Sequence, residues 1–259
     1  MARSPVVPLG NGAWCPSAPP WTEATGPLNL FADRGRCYTH GTFTGRDSML
    51  GPLWLIYQEI LGPRERMTDW LIQYHGELMH DRNVALSQPY YSRHDWAHLQ
   101  RGEIRSFLKC YYNAFAALAD RQTYSFWEHF FHCSPHKTHE EAWFLMQTRW
   151  MLWLEEEDRL QLLPAVPRAW LADGQKIELK GVASYFGPVS LRVESQVGQG
   201  RIEATVRCPI SRGLKSLRLR LPHPAGLLAA RAAGGQYEPA AESVTVRPFR
   251  GRARVILEF

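Results

Sequence analysis

The chain of 259 residues has no apolar run approaching the roughly 18 residues that a bilayer-spanning helix needs, so a membrane is not an expected partner. Residues 1–21, MARSPVVPLGNGAWCPSAPPW, lack the long apolar core of a secretory leader. Five cysteines (Cys15, Cys37, Cys110, Cys133 and Cys208) form no CxxC pair and no framework spacing. Their odd number fits free thiols in a reducing compartment, and a cytoplasmic protein is the expectation. There is no internal repeat and no block of like charge. The net charge of +5 is uneven, with fifteen Lys/Arg against seven acids in residues 165–259 and fifteen against eighteen before them. The arginines of the basic part are spaced along strand-like segments, the pattern of a solvated β surface, so nucleic acid is not an expected partner either.

Apolar residues make up 45% of the chain, enough for a packed core. Residues 1–45 are rich in Pro, Gly, Ser and Thr and read as an irregular N-terminal segment with at most one short strand. Helical periodicity then recurs over Asp47–Leu61, Arg64–Arg82, Trp96–Asp120 and His139–Glu156. Gly62-Pro63 turns the first pair into a hairpin. After the proline-broken stretch LQLLPAVPRAW the period changes to two. KIELKG, SLRVESQV, RIEATVRC, SLRLRLP, ESVTVRP and RARVILEF alternate apolar and polar residues between Gly/Pro turns, as strands of an antiparallel sandwich do. The expected organisation is an N-terminal segment (1–45), helical hairpins (46–160) and a C-terminal β-sandwich (161–259), an α+β chain.

Chemistry concentrates in Thr123–Glu141, TYSFWEHFFHCSPHKTHEE, which holds three carboxylates and four histidines among aromatic rings. A glutamate beside a tryptophan has an apolar wall that raises its pKa toward that of a working acid or base. An aromatic face is also what a sugar ring stacks on. Glu128 is the candidate base and Trp127 the candidate platform, with core packing as the plain alternative. His136, His139 and Glu140 are candidate substrate contacts. Thr138 with Glu141 three residues on has the form of a capping box. His129, His132, Cys133, His136 and His139 offer metal donors, but His139-Glu140-Glu141 is not HExxH and no CxxC supports it. No metal or cofactor is expected. A second polar group, Tyr91, Arg93, His94 and Asp95, lies between two helical stretches and supplies further candidate sugar contacts; Asp95 is equally suited to cap the next helix.

Two stretches resemble the six-hairpin, (α/α)6-barrel glycosidases, in particular the α-L-rhamnosidases. One is Thr123-Tyr124-Ser125-Phe126-Trp127-Glu128 followed by Ser134-Pro135-His136; the other is the linker Leu162-Leu163-Pro164-Ala165-Val166-Pro167. The resemblance implies a truncated bacterial member, with a partial barrel followed by the family's trailing sandwich. It also implies an inverting hydrolysis of O-glycosidic bonds with Glu128 activating water. The family's general acid comes from a hairpin with no counterpart here, so little or no activity is expected from this chain without a missing N-terminal part of the barrel. A non-catalytic carbohydrate-binding or structural module is the alternative. The sugar and the linkage are not specified by these motifs.

Overall fold

A computed structural model of the chain describes residues 6–8, 14–16, 54–75, 94–127, 136–209 and 212–259. The chain divides into two compact units, Met1–Gln147 and Thr148–Phe259.

In the first unit, strands β1 (Val6–Pro8) and β2 (Trp14–Pro16) pair antiparallel. Helices α1 (Trp54–Tyr57), α2 (Arg66–His75), α3 (His94–Arg101) and α4 (Ile104–Leu118) follow. A two-residue ladder of β3 (Ala119–Asp120) with β4 (Ser125–Phe126) precedes α5 (Thr138–Leu152). Gly102, at φ +74°, separates α3 from α4, because the left-handed conformation that ends α3 suits a residue without Cβ. Around the turn lies a polar latch. Arg101 donates to Asp69 Oδ1 (2.7 Å), to the Pro63 carbonyl (3.0 Å) and to Glu103 Oε1 (2.8 Å), and His98 Nδ1 lies 2.5 Å from Glu103 Oε2. Burial acts against the Glu103 carboxylate, but the hydrogen bonds from Arg101 and His98 outweigh it and hold its pKa below the ordinary value.

The second unit is a two-sheet β domain. Its strands are β5 (Trp153–Glu156), β6 (Arg159–Leu162), β7 (Lys176–Ser184), β8 (Gly187–Gln196), β9 (Arg201–Arg207), β10 (Ser216–Arg220), β11 (Arg231–Ala233), β12 (Gln236–Glu238), β13 (Ser243–Val246) and β14 (Arg252–Glu258). One sheet has the order β12-β13-β10-β6-β5 and the other β11-β14-β9-β8-β7. The second sheet shows how alternation becomes a core. Leu191, Val206 and Ala253 form one cross-strand row, Val193, Ala204 and Val255 the next, and Ser195, Ile202 and Leu257 the third. All nine are buried, and each large aliphatic among them contributes about 1.5–3 kcal/mol. A one-residue slip would turn these rows to solvent, which fixes the register.

Chain crossings between the sheets are equally determined. Gly234 and Gly235 carry the chain from β11 in one sheet to β12 in the other. A Cβ at Gly234 (φ +92°) would sit 1.9 Å from the Arg254 carbonyl oxygen, and one at Gly235 would sit 2.6 Å from that of Thr245. Only glycine permits this backbone approach. A buried ion network fastens the segment after β6. Glu242 accepts from Arg220 (3.1 Å) and pairs with Arg168 (2.6 Å), while Arg220 also donates to the Val166 carbonyl (3.0 Å).

These observations overturn the barrel expectation. Among the described residues, five α-helices of 4 to 15 residues stand beside two five-stranded sheets and two small ladders, so the chain is β-rich and shows no barrel of helical hairpins. The likeness to the (α/α)6 glycosidases therefore does not carry to the architecture. The physical reasons are local. Within the expected helix 47–61 the described part is helical only over Trp54–Tyr57, and the amides of Ile60 and Leu61 both turn back to the Leu55 carbonyl. The expected helix 96–120 is broken at Gly102. The expected helix 139–156 stops at Leu152, because Trp153–Glu156 pairs with Arg159–Leu162 as a hairpin. The sandwich is not wholly antiparallel either, since β6 runs parallel to β10.

Candidate functional site

The expected site residues fall into three groups. Glu128, Tyr91 and Arg93 lie outside the described residues, as does the side chain of His94, whose backbone opens α3. Trp127, His136, His139 and Glu140 are described and flank the segment that carries Glu128. The Trp127 amide donates to the Leu118 carbonyl and the Lys137 amide to that of Phe126, both at 2.9 Å. Trp127 is half-buried, His136 is exposed in the left-handed region (φ 55°), and His139 is exposed. His139 Nε2 lies 3.9 Å from Oε1 of Glu140, whose side chain is only 4% exposed. A carboxylate so covered is poorly placed to meet an entering substrate. Asp95 has a structural role: it is buried at 3% exposure, and its Oδ2 accepts from Trp143 Nε1 (3.0 Å) and Gln147 Nε2 (2.7 Å). It clamps the start of α3 to the middle of α5. The Asp95 charge also bears on Cys110, whose thiol is pushed well above its ordinary pKa, first by burial and then by that carboxylate.

The expected capping box is absent. Thr138 stands inside the first turn of α5, and the Lys137 carbonyl accepts from the amides of Glu140 (3.0 Å) and Glu141 (3.2 Å). Glu140 and Glu141 still place negative charge at the positive end of the helix. Among the described residues, no group of three His, Cys, Asp or Glu side chains is arranged to hold a metal ion. No helix there is long and apolar enough to cross a membrane.

A different constellation lies within the second unit. Strands β7 and β8 are joined by Tyr185-Phe186, with Ser184 opposite Gly187. The turn is pinned from inside: Ser184 Oγ donates to the Gly187 carbonyl (2.6 Å) and accepts from the Phe186 amide (3.2 Å). Phe186 is buried, whereas Tyr185 is 80% exposed. Beside it, the Arg149 guanidinium lies 5.2 Å from the centre of the Trp153 ring and 6.0 Å from that of Tyr185. Arg149 Nη2 donates to both oxygens of Glu155, at 2.7 and 2.8 Å, and Glu155 Oε1 accepts from the Tyr185 amide at 3.3 Å. Glu155 is 3% exposed and Arg149 23%. The Arg149 guanidinium is therefore near both rings, with its charge matched in place by Glu155. Trp153 Nε1 is buried and meets no acceptor.

The sequence reading missed these four residues because each looks ordinary alone. Arg149 falls in a helix, Trp153 and Glu155 in what reads as the same helix, and Tyr185 in a turn. One signal was present: SYFG puts a large ring where hairpin turns favour Gly, Asn or Asp, so folding alone gives no reason for Tyr185. No family model and no curated protein matches this chain.

Proposed function

We propose that the protein is a non-catalytic carbohydrate-binding module whose binding platform is Tyr185 on its Arg149–Glu155–Trp153 support. The carrying observation is that Tyr185 is 80% exposed while its backbone amide is bound to the buried Glu155 carboxylate and its ring centre lies 6.0 Å from the Arg149 guanidinium. The C–H face of a pyranose stacks on such a ring, and the phenolic hydroxyl reaches a sugar hydroxyl. A ring whose backbone is already fixed loses less conformational freedom on binding, which favours affinity. Hydrolysis is not part of this proposal: Glu128 lies outside the described residues, and the resemblance that gave it a role is overturned by the fold.

The test is calorimetric titration of the full chain with a panel of soluble oligosaccharides, wild type against Tyr185→Ala. The expected result is saturable binding of at least one oligosaccharide, weakened about tenfold or more by the substitution, equivalent to roughly 1.4 kcal/mol. Glu155→Gln, which loosens the support without removing the ring, should weaken binding less. Equal binding by wild type and Tyr185→Ala, with an unchanged melting temperature, would exclude the platform.

A further inference from the structure

On the outward face of β8, β9 and β14, three arginines are matched by acids and two are not. Arg192 pairs with Glu194, and Arg201 and Arg254 both pair with Glu203. Arg207 and Arg252 stand directly opposite each other on β9 and β14, both exposed, and neither has an ion pair among the described residues. Their pairing is of the closer kind. Just beyond it the Cys208 amide donates to the Gly251 carbonyl at 2.9 Å, so 208 and 251 are a hydrogen-bonded pair and 207 and 252 are not. Antiparallel partners of that second kind have Cα atoms about 4.5 Å apart and side chains together on one face. Two guanidiniums held so close repel, and the register works against folding unless something else gains from it. Ser190 of β8, a neutral residue, continues the row beside Arg207. The next outward row, Arg192, Thr205 and Arg254, adds no carboxylate on these three strands. Glu178 of β7, opposite Arg192, is paired with Lys180. Glu194 and Glu203 are two outward rows away, about 13 Å along the strands, against a screening length of about 10 Å in 0.1 M salt.

We infer that Arg207 and Arg252 form a binding site for one phosphate or sulfate group. A doubly charged tetrahedral ion between the two side chains turns their repulsion into shared attraction. Each guanidinium fork can donate two charge-assisted hydrogen bonds to its oxygens, a match that an ammonium would not give. A free ion and a small monoester offer the same oxygens, so the chemistry is common to both. One compact pair suits a single oxyanion and not a nucleic acid duplex, whose binding needs a longer basic stripe. The site does not depend on the Tyr185 platform proposed above, and its test leaves that residue untouched.

The experiment follows the arginine Nε–Hε NMR signals of the full chain, with Arg207, Arg252 and Arg192 assigned by their loss in Arg207→Gln, Arg252→Gln and Arg192→Gln. Inorganic phosphate, inorganic sulfate, glucose 6-phosphate and glucose are added at constant ionic strength. Phosphate or sulfate should move the Arg207 and Arg252 signals along one saturable curve with a shared midpoint, while Arg192 stays in place. Removing either arginine should weaken binding at the other about tenfold, as loss of a charged hydrogen-bonding partner does. Each of these two variants, without added anion, should melt at the same temperature as wild type or higher, because the repulsion is gone. A tighter midpoint for glucose 6-phosphate assigns the group to a monoester, and a tighter one for inorganic phosphate assigns it to the free ion; both support the site. The inference is overturned by no saturable shift, by separate midpoints for the two arginines, or by equal movement of Arg192. A single variant that binds as wild type does, or a response to glucose equal to that to glucose 6-phosphate, also overturns it.

Discussion

Asp95 shows why a polar residue in a promising sequence context need not be a ligand contact. The motif around it, Tyr90-Tyr91-Ser92-Arg93-His94-Asp95, is polar and aromatic, which is how substrate loops read. Its carboxylate is buried against α5, accepting from an indole and an amide. Removing it strands buried donors, so Asp95→Ala should cost about 1–3 kcal/mol of stability. Urea unfolding checks this, and a loss within experimental error would refute the structural role. Glu242 makes the same point more strongly, because it sits between Arg168 and Arg220. Desolvation lowers the Arg220 pKa, and the Glu242 charge counters it. Glu242→Ala would leave a largely buried guanidinium uncompensated, with an expected loss of about 3–5 kcal/mol. Spectroscopic unfolding in guanidinium chloride measures it.

At the scale of elements, the six alternating segments read from the sequence each form a strand, β7, β8, β9, β10, β13 and β14. Period-two patterning with glycine and proline between segments is a local signal, and it survives because one face of each strand must be buried. The helical stretches were legible only in part. Periodicity over 96–120 does not reveal that Gly102 takes φ +74°. The apolar run after His139 does not reveal that Trp153–Glu156 leaves the helix, since its partner Arg159–Leu162 is set by tertiary pairing. Strand β6 was hidden for the same reason: it pairs with β10, more than fifty residues later, and in parallel. Two predictions belong to this scale. Gly234→Ala, whose Cβ would meet the Arg254 carbonyl, should cost on the order of 3 kcal/mol or more and lower the melting temperature sharply. The latch around α3 should be acid-sensitive. The Glu103 pKa is held below its ordinary value, so its contribution is complete above the unfolded value of about 4.3 and fades as pH falls through the depressed folded value. Stability measured against pH should therefore decline on the acid side, and Glu103→Gln should remove part of that decline.

For the whole molecule, the broadest buried ladder among the described residues is the one in which β9 lies between β8 and β14, with three buried cross-strand rows. Amides of β9 should be among the slowest to exchange with solvent, and those of β11 and β12, three residues each, among the faster. A site built from Arg149, Trp153, Glu155 and Tyr185 could not be read from spacing, because it joins a helix end, a hairpin and a distant turn. What was readable was the excess of arginine over acids in residues 165–259, and the coordinates divide that excess into paired and acid-free groups. The proposed carbohydrate recognition rests on the tyrosine turn of the β domain, not on the glutamate-tryptophan pair singled out in the sequence. The most direct measurement is a ring-resolved NMR titration with tyrosine-labelled full chain, the Tyr185 signal being assigned by its loss in Tyr185→Phe. Addition of a bound oligosaccharide should shift the Tyr185 ring resonances selectively, as stacking against a sugar face requires; a Tyr185 signal that stays in place while the oligosaccharide binds would contradict the account.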